Sequence, residues 1–132
     1  MIGAIVVTHG QLARELVTAA EMIVGDLPHV TSVSVGWHDD TTVIHTEIEK
    51  AIAKVQVGDG VLILTDMFGG TPSNVALTFL EKSRVEIITG VNLPMLLKLS
   101  QQEAGADLIT VAHAVLAQGK KNITLASEVL HR

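Results

Sequence analysis

The chain has 132 residues, of which 48% are hydrophobic but only 2% aromatic, so one domain with an aliphatic core is expected. The formal net charge of −5 provides no basic surface, which argues against a nucleic-acid partner, and the absence of cysteine excludes disulfides and thiolate metal sites. The sequence also lacks a signal peptide and any apolar run near the roughly 18 residues of a membrane span. A cytoplasmic protein without membrane insertion is therefore expected.

Strands alternate with amphipathic helices in the first half of the chain. Ile2–Val7 is apolar and β-branched and predicts a buried strand, whereas apolar residues at three- and four-residue spacing predict a helix over Gln11–Val24. Val30–Val35 predicts a second strand, and Asp40 is the expected cap of the helix that follows it. Val61–Leu64 is a short unbroken apolar run, which is typical of a strand covered on both faces.

The second half continues the alternation and completes the predicted sheet. Helices are expected at Pro72–Lys82, Leu93–Gln102 and Asp107–Gln118. Short strands are expected at Val85–Ile88 and Ile123–Leu125. This order predicts an open, mostly parallel α/β sheet of about four parallel strands, with helices on both faces and right-handed crossovers. The final strand has no helix after it, so pairing with a second subunit in a dimer is expected for it.

A polar turn after the third predicted strand is the most informative stretch of the chain. Asp66 ends the strand, Gly69 and Gly70 follow, and Thr71 is the expected N-cap of a helix that begins with proline. In open α/β sheets, ligands bind in the crevice outside the carboxyl ends of the strands, and unpaired helix amides favour an anion there. His9 follows the first strand, so it is expected on the same rim as Asp66.

An imidazole beside a carboxylate on this rim suits nucleophilic chemistry. A hydrogen bond from one ring nitrogen of His9 to Asp66 would leave the other nitrogen free to attack, and would steady the charge that then grows on the ring. A phosphoryl group on His9 would find partners in the turn amides and in the hydroxyl of Thr71. No serine-nucleophile elbow, Walker loop or dinucleotide fingerprint competes for this rim. A metal site formed by His38 and Asp39 together with His9 is an alternative.

Three motifs together carry a resemblance to a known family. They are VVTHG, TDMFGGTPSN and GVNLPM, at Val6–Gly10, Thr65–Asn74 and Gly90–Met95. In this order and spacing they resemble the mannose-family enzyme IIA domain of the bacterial phosphoenolpyruvate-dependent sugar phosphotransferase system, as a single domain over residues 1–132. The resemblance implies a phosphotransferase that carries phosphoryl groups for sugar uptake. It also implies a homodimer in which the last strand crosses to the other subunit, and we expect neither a metal nor an organic cofactor.

The resemblance also implies roles for individual residues. His9 would take a phosphoryl group from the histidine-containing phosphocarrier protein and pass it to a histidine of a separate IIB protein, while Asp66 orients His9. Thr71 and neighbouring amides would contact the phosphoryl group. The phosphate-binding residues are therefore expected to be Thr71, Gly69, Gly70 and Ser73. The partner surface is expected to include Trp37, Asn92 and Met95.

Other interpretations remain open at this point. A regulatory module, whose phosphorylation state is read by a binding partner, is the main alternative, and a phosphoryl donor of a dihydroxyacetone kinase complex is another. A hydrolase is less favoured because no site for an activated water is visible. The loop Gly36–Asp40 departs from the proline-glycine-acidic turn expected in the family. His29 is expected to be solvated, and His45 to lie on the surface of a helix or pack against it.

Overall fold

One parallel sheet forms the centre of the computed structural model, which describes residues 1–37 and 39–130. In these residues the strands are β1 (Gly3–His9), β2 (Val30–Val35), β3 (Val61–Thr65) and β4 (Val85–Thr89). The helices are α1 (Leu12–Val24), α2 (Thr41–Val55), α3 (Thr71–Leu77), α4 (Leu93–Leu99), α5 (Leu108–Lys121) and α6 (Ala126–Leu130). All neighbouring strands pair in parallel, in the spatial order β2-β1-β3-β4. The predicted open α/β sheet is confirmed.

The two middle strands are buried on both faces, as their apolar sequences predict. Alternate side chains of β1 and β3 contribute to two separate hydrophobic clusters. Val6, Leu62 and Leu64 lie in a cluster with residues of α1, α4 and α5. Ile5 and Ile63 lie in a second cluster with residues of α2 and α3, so helices do cover both faces. Because each face of the sheet is packed, the strands cannot slip by one residue without exposing a whole apolar set.

The strand order creates the crevice in which a ligand could bind. The chain runs from β1 outward to β2 and then returns to β3 on the other side of β1. Neighbouring β1 and β3 thus lie where the order reverses, which is the usual ligand position in such sheets. Their register pairs Val7 with Thr65, so His9 and Asp66 leave the sheet side by side at its carboxyl edge.

Two helices are shorter than the sequence pattern predicts. α3 ends at Leu77 instead of continuing to Lys82, because the next main-chain bonds span three residues: Thr78 donates to Val75, and Leu80 to Leu77. α4 ends at Leu99 in the same way, before the predicted Gln102. In both cases the last turn tightens into a 3₁₀-type turn, a common form of helix ending that apolar spacing does not reveal.

The predicted strand at Ile123–Leu125 is not formed within a single described chain. These residues connect α5 to α6 without regular secondary structure, and Ile123 and Leu125 are 74% and 64% exposed. Its main chain bonds locally instead: the Ile123 N–H donates to the Lys120 carbonyl at 3.3 Å, and the Leu125 carbonyl accepts the Glu128 N–H at 3.0 Å. These groups are therefore satisfied without a strand ladder. Its pairing with a second subunit stays a prediction.

Gln102 satisfies the main chain at the beginning of the first strand. The Ile2 N–H donates to Gln102 Oε1 at 2.7 Å, and Gln102 Nε2 donates to the Ile2 carbonyl at 3.0 Å. Ile2 itself is 0% exposed. A single amide side chain thus acts as an extra strand partner for one residue.

We expect Gln102→Ala to lower the free energy of unfolding by about 1–3 kcal/mol, because two main-chain groups lose their partners. Gln101→Ala is the matched control: Gln101 is the exposed neighbour, and its loss should change the free energy by less than about 0.5 kcal/mol. Urea denaturation of both variants measures the difference, and equal values for the two would contradict the assignment.

His29 is partly buried, so the expectation that it is solvated is wrong. Its ring hydrogen-bonds the main chain of Leu99, and its Nε2 is buried with no hydrogen-bond partner among the described residues. Burial lowers the pKa of His29 from its usual 6.5, and although the bond to Leu99 opposes this effect, the positive amino terminus adds to it. A proton on Nε2 would lack an acceptor, so the folded protein favours the neutral ring.

This lowered pKa predicts a loss of stability in mild acid. The contribution of neutral His29 is complete above its unfolded pKa of 6.5 and is lost as the pH falls through that value toward the lower folded pKa. Wild type should therefore lose more free energy of unfolding than His29→Gln between about pH 7.5 and pH 5. Parallel urea titrations provide the test, and identical pH profiles would refute it.

Candidate functional site

His9 and Asp66 meet at the carboxyl edge of the sheet, where β1 and β3 end. A single carboxylate oxygen, Asp66 Oδ2, accepts a hydrogen bond from the His9 main-chain N–H at 3.0 Å and lies 2.8 Å from His9 Nδ1. The His9 side chain is 51% exposed and that of Asp66 only 14%. The pair is thus anchored on its carboxylate side and open to solvent on its imidazole side.

The end of the strand ladder explains why the carboxylate occupies this position. Pairing between β1 and β3 stops at Val7 and Thr65, so the next N–H of β1 on that side has no β3 carbonyl opposite it. Asp66 Oδ2 supplies the missing acceptor for His9 N–H. With Asp66 ionised, the ring nitrogen that faces it carries the proton, which leaves Nε2 of the neutral imidazole unprotonated.

Asp66 is held in its ionised form. Burial by itself would raise the pKa of Asp66, but the hydrogen bonds from the ring and main chain of His9, together with the positive charge of the ring when it is protonated, outweigh this effect. The pKa of Asp66 is therefore below its usual value. The second carboxylate oxygen accepts the Met67 N–H at 3.0 Å, which further fixes the orientation of the group.

Gly70 packs directly against the imidazole ring. A Cβ built on Gly70 would lie 2.8 Å from His9 Cε1 and 3.3 Å from His9 Nε2. The Gly70 main chain is extended, with φ −86° and ψ 170°, so its conformation alone would permit any residue. Glycine is therefore required at position 70 because the imidazole ring leaves no room for a Cβ atom. Gly69 differs, because its φ of 88° lies in the left-handed region and no atom lies within 4 Å of its built Cβ.

The prediction that Thr71 is the N-cap of α3 is wrong, because Thr71 is the first residue of the helix. The N-cap is Gly70, because its carbonyl accepts the first helical hydrogen bond, from Asn74 N–H at 2.9 Å. Thr71 is exposed, and with His9 and Trp37 it lines an open depression of about 420 Å³. Its side chain is therefore presented at the same surface as the imidazole.

Ser73 lies in the same helix but does not present its hydroxyl to the depression. The residue is 0% exposed, and its Oγ accepts a long hydrogen bond from Thr65 Oγ1 at 3.4 Å. Any contact of Ser73 with a phosphoryl group would have to come from its main-chain N–H, one of the first-turn amides that lack helical partners. That Ser73 takes part in phosphate binding stays a prediction.

The loop after β2 forms one lip of the depression. Trp37 is 99% exposed, and the Asp39 carboxylate accepts the Gly36 N–H at 2.6 Å. Asp40 caps α2 by accepting the Val43 N–H at 2.8 Å, which confirms the predicted cap. His38 lies outside the described residues, and with it the alternative metal pair. Among residues 1–37 and 39–130, no group of three or more His, Cys, Asp or Glu side chains could hold a metal ion.

Asn92 and Met95 make contacts inside the protein. Asn92 Oδ1 accepts the Met95 N–H at 3.3 Å as the cap of α4, and Asn92 Nδ2 donates to the Gly119 carbonyl at 3.0 Å. Met95 is only 3% exposed and packs where a Cβ of Gly119 would otherwise lie. Met95 thus belongs to the core and not to an exposed partner surface. His45 is in α2 and stacks on Phe79, with ring centroids 4.4 Å apart.

Exposed apolar residues next to His9 and Asp66 were missed by the sequence reasoning. Leu12, Met67 and Phe68 are 47%, 55% and 73% exposed, and each lies within three residues of His9 or Asp66 in the chain. Their apolar character predicts burial, and only their position in the turns beside the two strand ends could have indicated a surface role. Apolar side chains in such a position are typical of a protein-docking surface.

Comparison with known families decides the relationship of this chain. Residues 3–119 match the family described as PTS system fructose IIA component, EIIA-man. The chain belongs to this family. No helix in the described part of this IIA component has the length and apolar character needed to span a bilayer.

Individual relatives agree with this assignment. The PTS system mannose-specific EIIAB component of Escherichia coli K12 is 38% identical over 103 residues, which cover 74% of this chain. The match covers only 30% of that relative, so the chain spans less than a third of its length. The fructose-specific EIIA component of Bacillus subtilis is 28% identical over 133 residues and is covered to 91%.

The fold has a close counterpart among solved structures. The phosphotransferase system component EIIA from Streptococcus agalactiae superposes with a TM-score of 0.87 at 21% identity. The superposition covers 97% of this chain and 99% of that chain. This likeness establishes that the two chains share the same IIA fold.

Proposed function

We propose that this IIA component is a phosphoryl carrier of a sugar phosphotransferase system. Nε2 of His9 accepts a phosphoryl group from the histidine-containing phosphocarrier protein and passes it to a histidine of a IIB protein. The observation that supports this most is the position of Asp66 Oδ2, 3.0 Å from His9 N and 2.8 Å from His9 Nδ1. One carboxylate oxygen binds both the main-chain nitrogen and Nδ1 of His9, so Nε2 remains free to act as the nucleophile.

Each transfer exchanges one N–P bond for another. The lone pair of His9 Nε2 attacks phosphorus, and the bond from phosphorus to the donor nitrogen breaks, so its electron pair returns to the donor imidazole. The positive charge that develops on the His9 ring is shared with the Nδ1 proton, which remains directed at the ionised Asp66. Delivery to the IIB histidine reverses these steps, with His9 as the leaving group.

The surroundings of Nε2 provide partners for the phosphoryl oxygens. In this proposal the Thr71 hydroxyl and the main-chain amides of Gly69, Gly70 and Ser73 contact the transferring group. Thr71 lines the same depression as His9, and Gly70 lies against the Nε2 edge of the ring. Positioning and charge stabilisation of this kind account for most of the catalysis of phosphoryl transfer.

Two partner proteins must reach the same histidine in turn. Exposed apolar side chains beside the depression provide a surface for both: Trp37, Leu12, Met67 and Phe68. We also propose that the chain forms a homodimer, which the exposed apolar side chains of Ile123 and Leu125 support. No cofactor takes part, because the transferred group travels from histidine to histidine.

A reconstituted transfer assay tests the carrier function. Wild type, His9→Ala and the control His113→Ala, which changes an exposed histidine of α5, are incubated with phosphoenolpyruvate, enzyme I and the phosphocarrier protein. Intact mass under alkaline conditions should show a gain of about 80 Da in wild type and His113→Ala but not in His9→Ala, as expected for one phosphoryl group. Phosphorus NMR should assign the adduct to Nε2.

The assay has two outcomes that would contradict the proposal. If wild type gains no mass while a competent acceptor is labelled in the same mixture, His9 is not a phosphoryl acceptor. If wild type is labelled but keeps its phosphoryl group when mannose-family IIB proteins are added, the carrier function fails. The second result would instead support a regulatory protein whose phosphorylation state is read by a binding partner.

A further inference from the structure

We infer that Thr8 is a positioning residue for His9, an assignment that rests on the proposed phosphoryl-carrier function. Thr8 is the last residue before His9 and is 0% exposed. It does not touch the depression, so its role would be exerted through the main chain of its neighbour. The inference follows from the two hydrogen bonds of its hydroxyl group.

The Thr8 hydroxyl ties the end of the strand to the start of the next helix. Thr8 Oγ1 accepts the Ala13 N–H at 2.7 Å in a buried bond, and it donates to the His9 carbonyl at 3.2 Å. The N-cap residue of α1, Gln11, makes no capping hydrogen bond with its own side chain. A hydroxyl from inside β1 thus performs the capping of α1 and simultaneously holds the catalytic residue.

His9 is consequently fixed on both sides of its α-carbon. Its N–H is bound by Asp66, its carbonyl is bound by Thr8, and the following Gly10 N–H donates to the Val35 carbonyl at 2.8 Å. The ring can reach Asp66 at 2.8 Å through the same oxygen that binds the N–H only if this main chain keeps its orientation. Loss of the Thr8 hydroxyl releases the carbonyl and leaves the Ala13 N–H buried without its acceptor.

The corresponding residue of the other strand makes a weaker connection. Thr65 precedes Asp66 and is also 0% exposed, and its hydroxyl donates a long hydrogen bond to Ser73 Oγ at 3.4 Å. The hydroxyl that makes two shorter hydrogen bonds therefore lies next to His9, and the hydroxyl next to Asp66 makes a longer one. This asymmetry places the positioning role on Thr8.

Substitutions that separate the hydroxyl from the shape of the side chain test the inference. Thr8→Val keeps the β-branched shape and burial but removes the hydroxyl, whereas Thr8→Ser keeps the hydroxyl. Ile48→Val, in the buried core of α2, is the control for a general loss of stability. Each variant is checked by circular dichroism, the rate of His9 phosphorylation is measured by rapid quench, and the His9 ring nitrogens are followed by ¹⁵N NMR.

Thr8→Val should slow phosphorylation by about 10- to 100-fold, as expected for a displaced reacting group. Its ¹⁵N spectrum should shift from the Nδ1-protonated form toward a mixture of the two neutral forms. Thr8→Ser should keep most of the wild-type rate, and Ile48→Val should keep it fully even where it loses as much stability. If Thr8→Val folds, reacts at the wild-type rate and keeps the wild-type ¹⁵N shifts, Thr8 only caps a helix and the inference is overturned.

The failure of the proposed function would look different. In that case wild type itself would not be phosphorylated, while a competent acceptor in the same mixture would be. The ¹⁵N comparison of wild type, Thr8→Val and Thr8→Ser does not depend on phosphorylation, so it still decides whether Thr8 sets the state of the His9 ring. Unchanged shifts in Thr8→Val would overturn the positioning role in that case too.

Discussion

Asp66→Asn is expected to slow phosphorylation of His9 by about 10²- to 10⁴-fold, because an amide cannot stabilise the positive ring as a carboxylate does. Asp66 Oδ2 accepts from both the His9 main chain and His9 Nδ1. An asparagine has only one oxygen, and if its NH₂ group faced His9, it would favour the ring form protonated on Nε2, which cannot attack. Either orientation removes part of the activation.

Asp40→Asn is the matched control for this substitution. Asp40 caps α2 in the neighbouring loop, and asparagine is as good an N-cap as aspartate, so the control should react like wild type. Rapid-quench measurement of single-turnover phosphorylation at saturating phosphocarrier protein separates the chemical step from docking. An Asp66→Asn rate within about threefold of wild type would contradict the orienting role, since the expected loss is at least 10²-fold.

The same variant should alter the response to acid. The pKa of Asp66 is lowered in the folded protein, so its contribution to stability is present above the unfolded pKa of 3.8 and is lost as the pH falls through the folded pKa. Asp66→Asn lacks this group. Its free energy of unfolding should therefore fall less steeply below about pH 4 than that of wild type, which urea titrations would show.

The second large effect is expected for Gly70→Ala. The new Cβ would lie 2.8 Å from His9 Cε1, so either the ring or the start of α3 must move. Because a displacement of about 1 Å can reduce a rate by roughly 10²-fold, we expect phosphorylation to fall by about that factor. Stability should change little, by about 1 kcal/mol or less, since the main chain of Gly70 is extended and alanine is only a moderately poorer N-cap than glycine.

Asp107→Ala provides the comparison for Gly70→Ala. Asp107 caps α5 by accepting the Thr110 N–H at 3.0 Å and contacts neither His9 nor Asp66. Its loss should cost about 1 kcal/mol of stability and leave the phosphorylation rate unchanged. A Gly70→Ala protein that loses stability but transfers at the wild-type rate would show that contact with the ring is not what requires glycine.

Local patterns were sufficient for the architecture and for the choice of the two central residues. The apolar runs of β1 and β3 predict buried parallel strands; His9 is the last residue of β1, and Asp66 directly follows β3. Their shared edge follows because the carboxyl ends of parallel strands meet there. Asp40 likewise follows a local rule and caps its helix as predicted.

Residues whose role depends on contacts distant in the sequence were predicted less well. Ser73 and Met95 belong to motifs that resemble functional ones, but both are buried, because the faces of α3 and α4 toward the core are set by packing. Helix ends at Leu77 and Leu99 depend on the last turns tightening, which apolar spacing does not encode. The strand predicted at Ile123–Leu125 has no partner strand among the described residues.

The sequence by itself determined that His9 and Asp66 share one rim, because each residue ends a strand of the same parallel sheet. Only the tertiary structure decided that their strands are neighbours, that Nδ1 and not Nε2 faces the carboxylate, that Gly70 packs against the imidazole, and that the Thr8 hydroxyl bonds the His9 carbonyl. The physical reason is the separation along the chain of the residues that interact. Side-chain periodicity reports which face of an element is buried, whereas strand order, ring orientation and contacts of a few ångströms arise only when elements distant in the chain pack together.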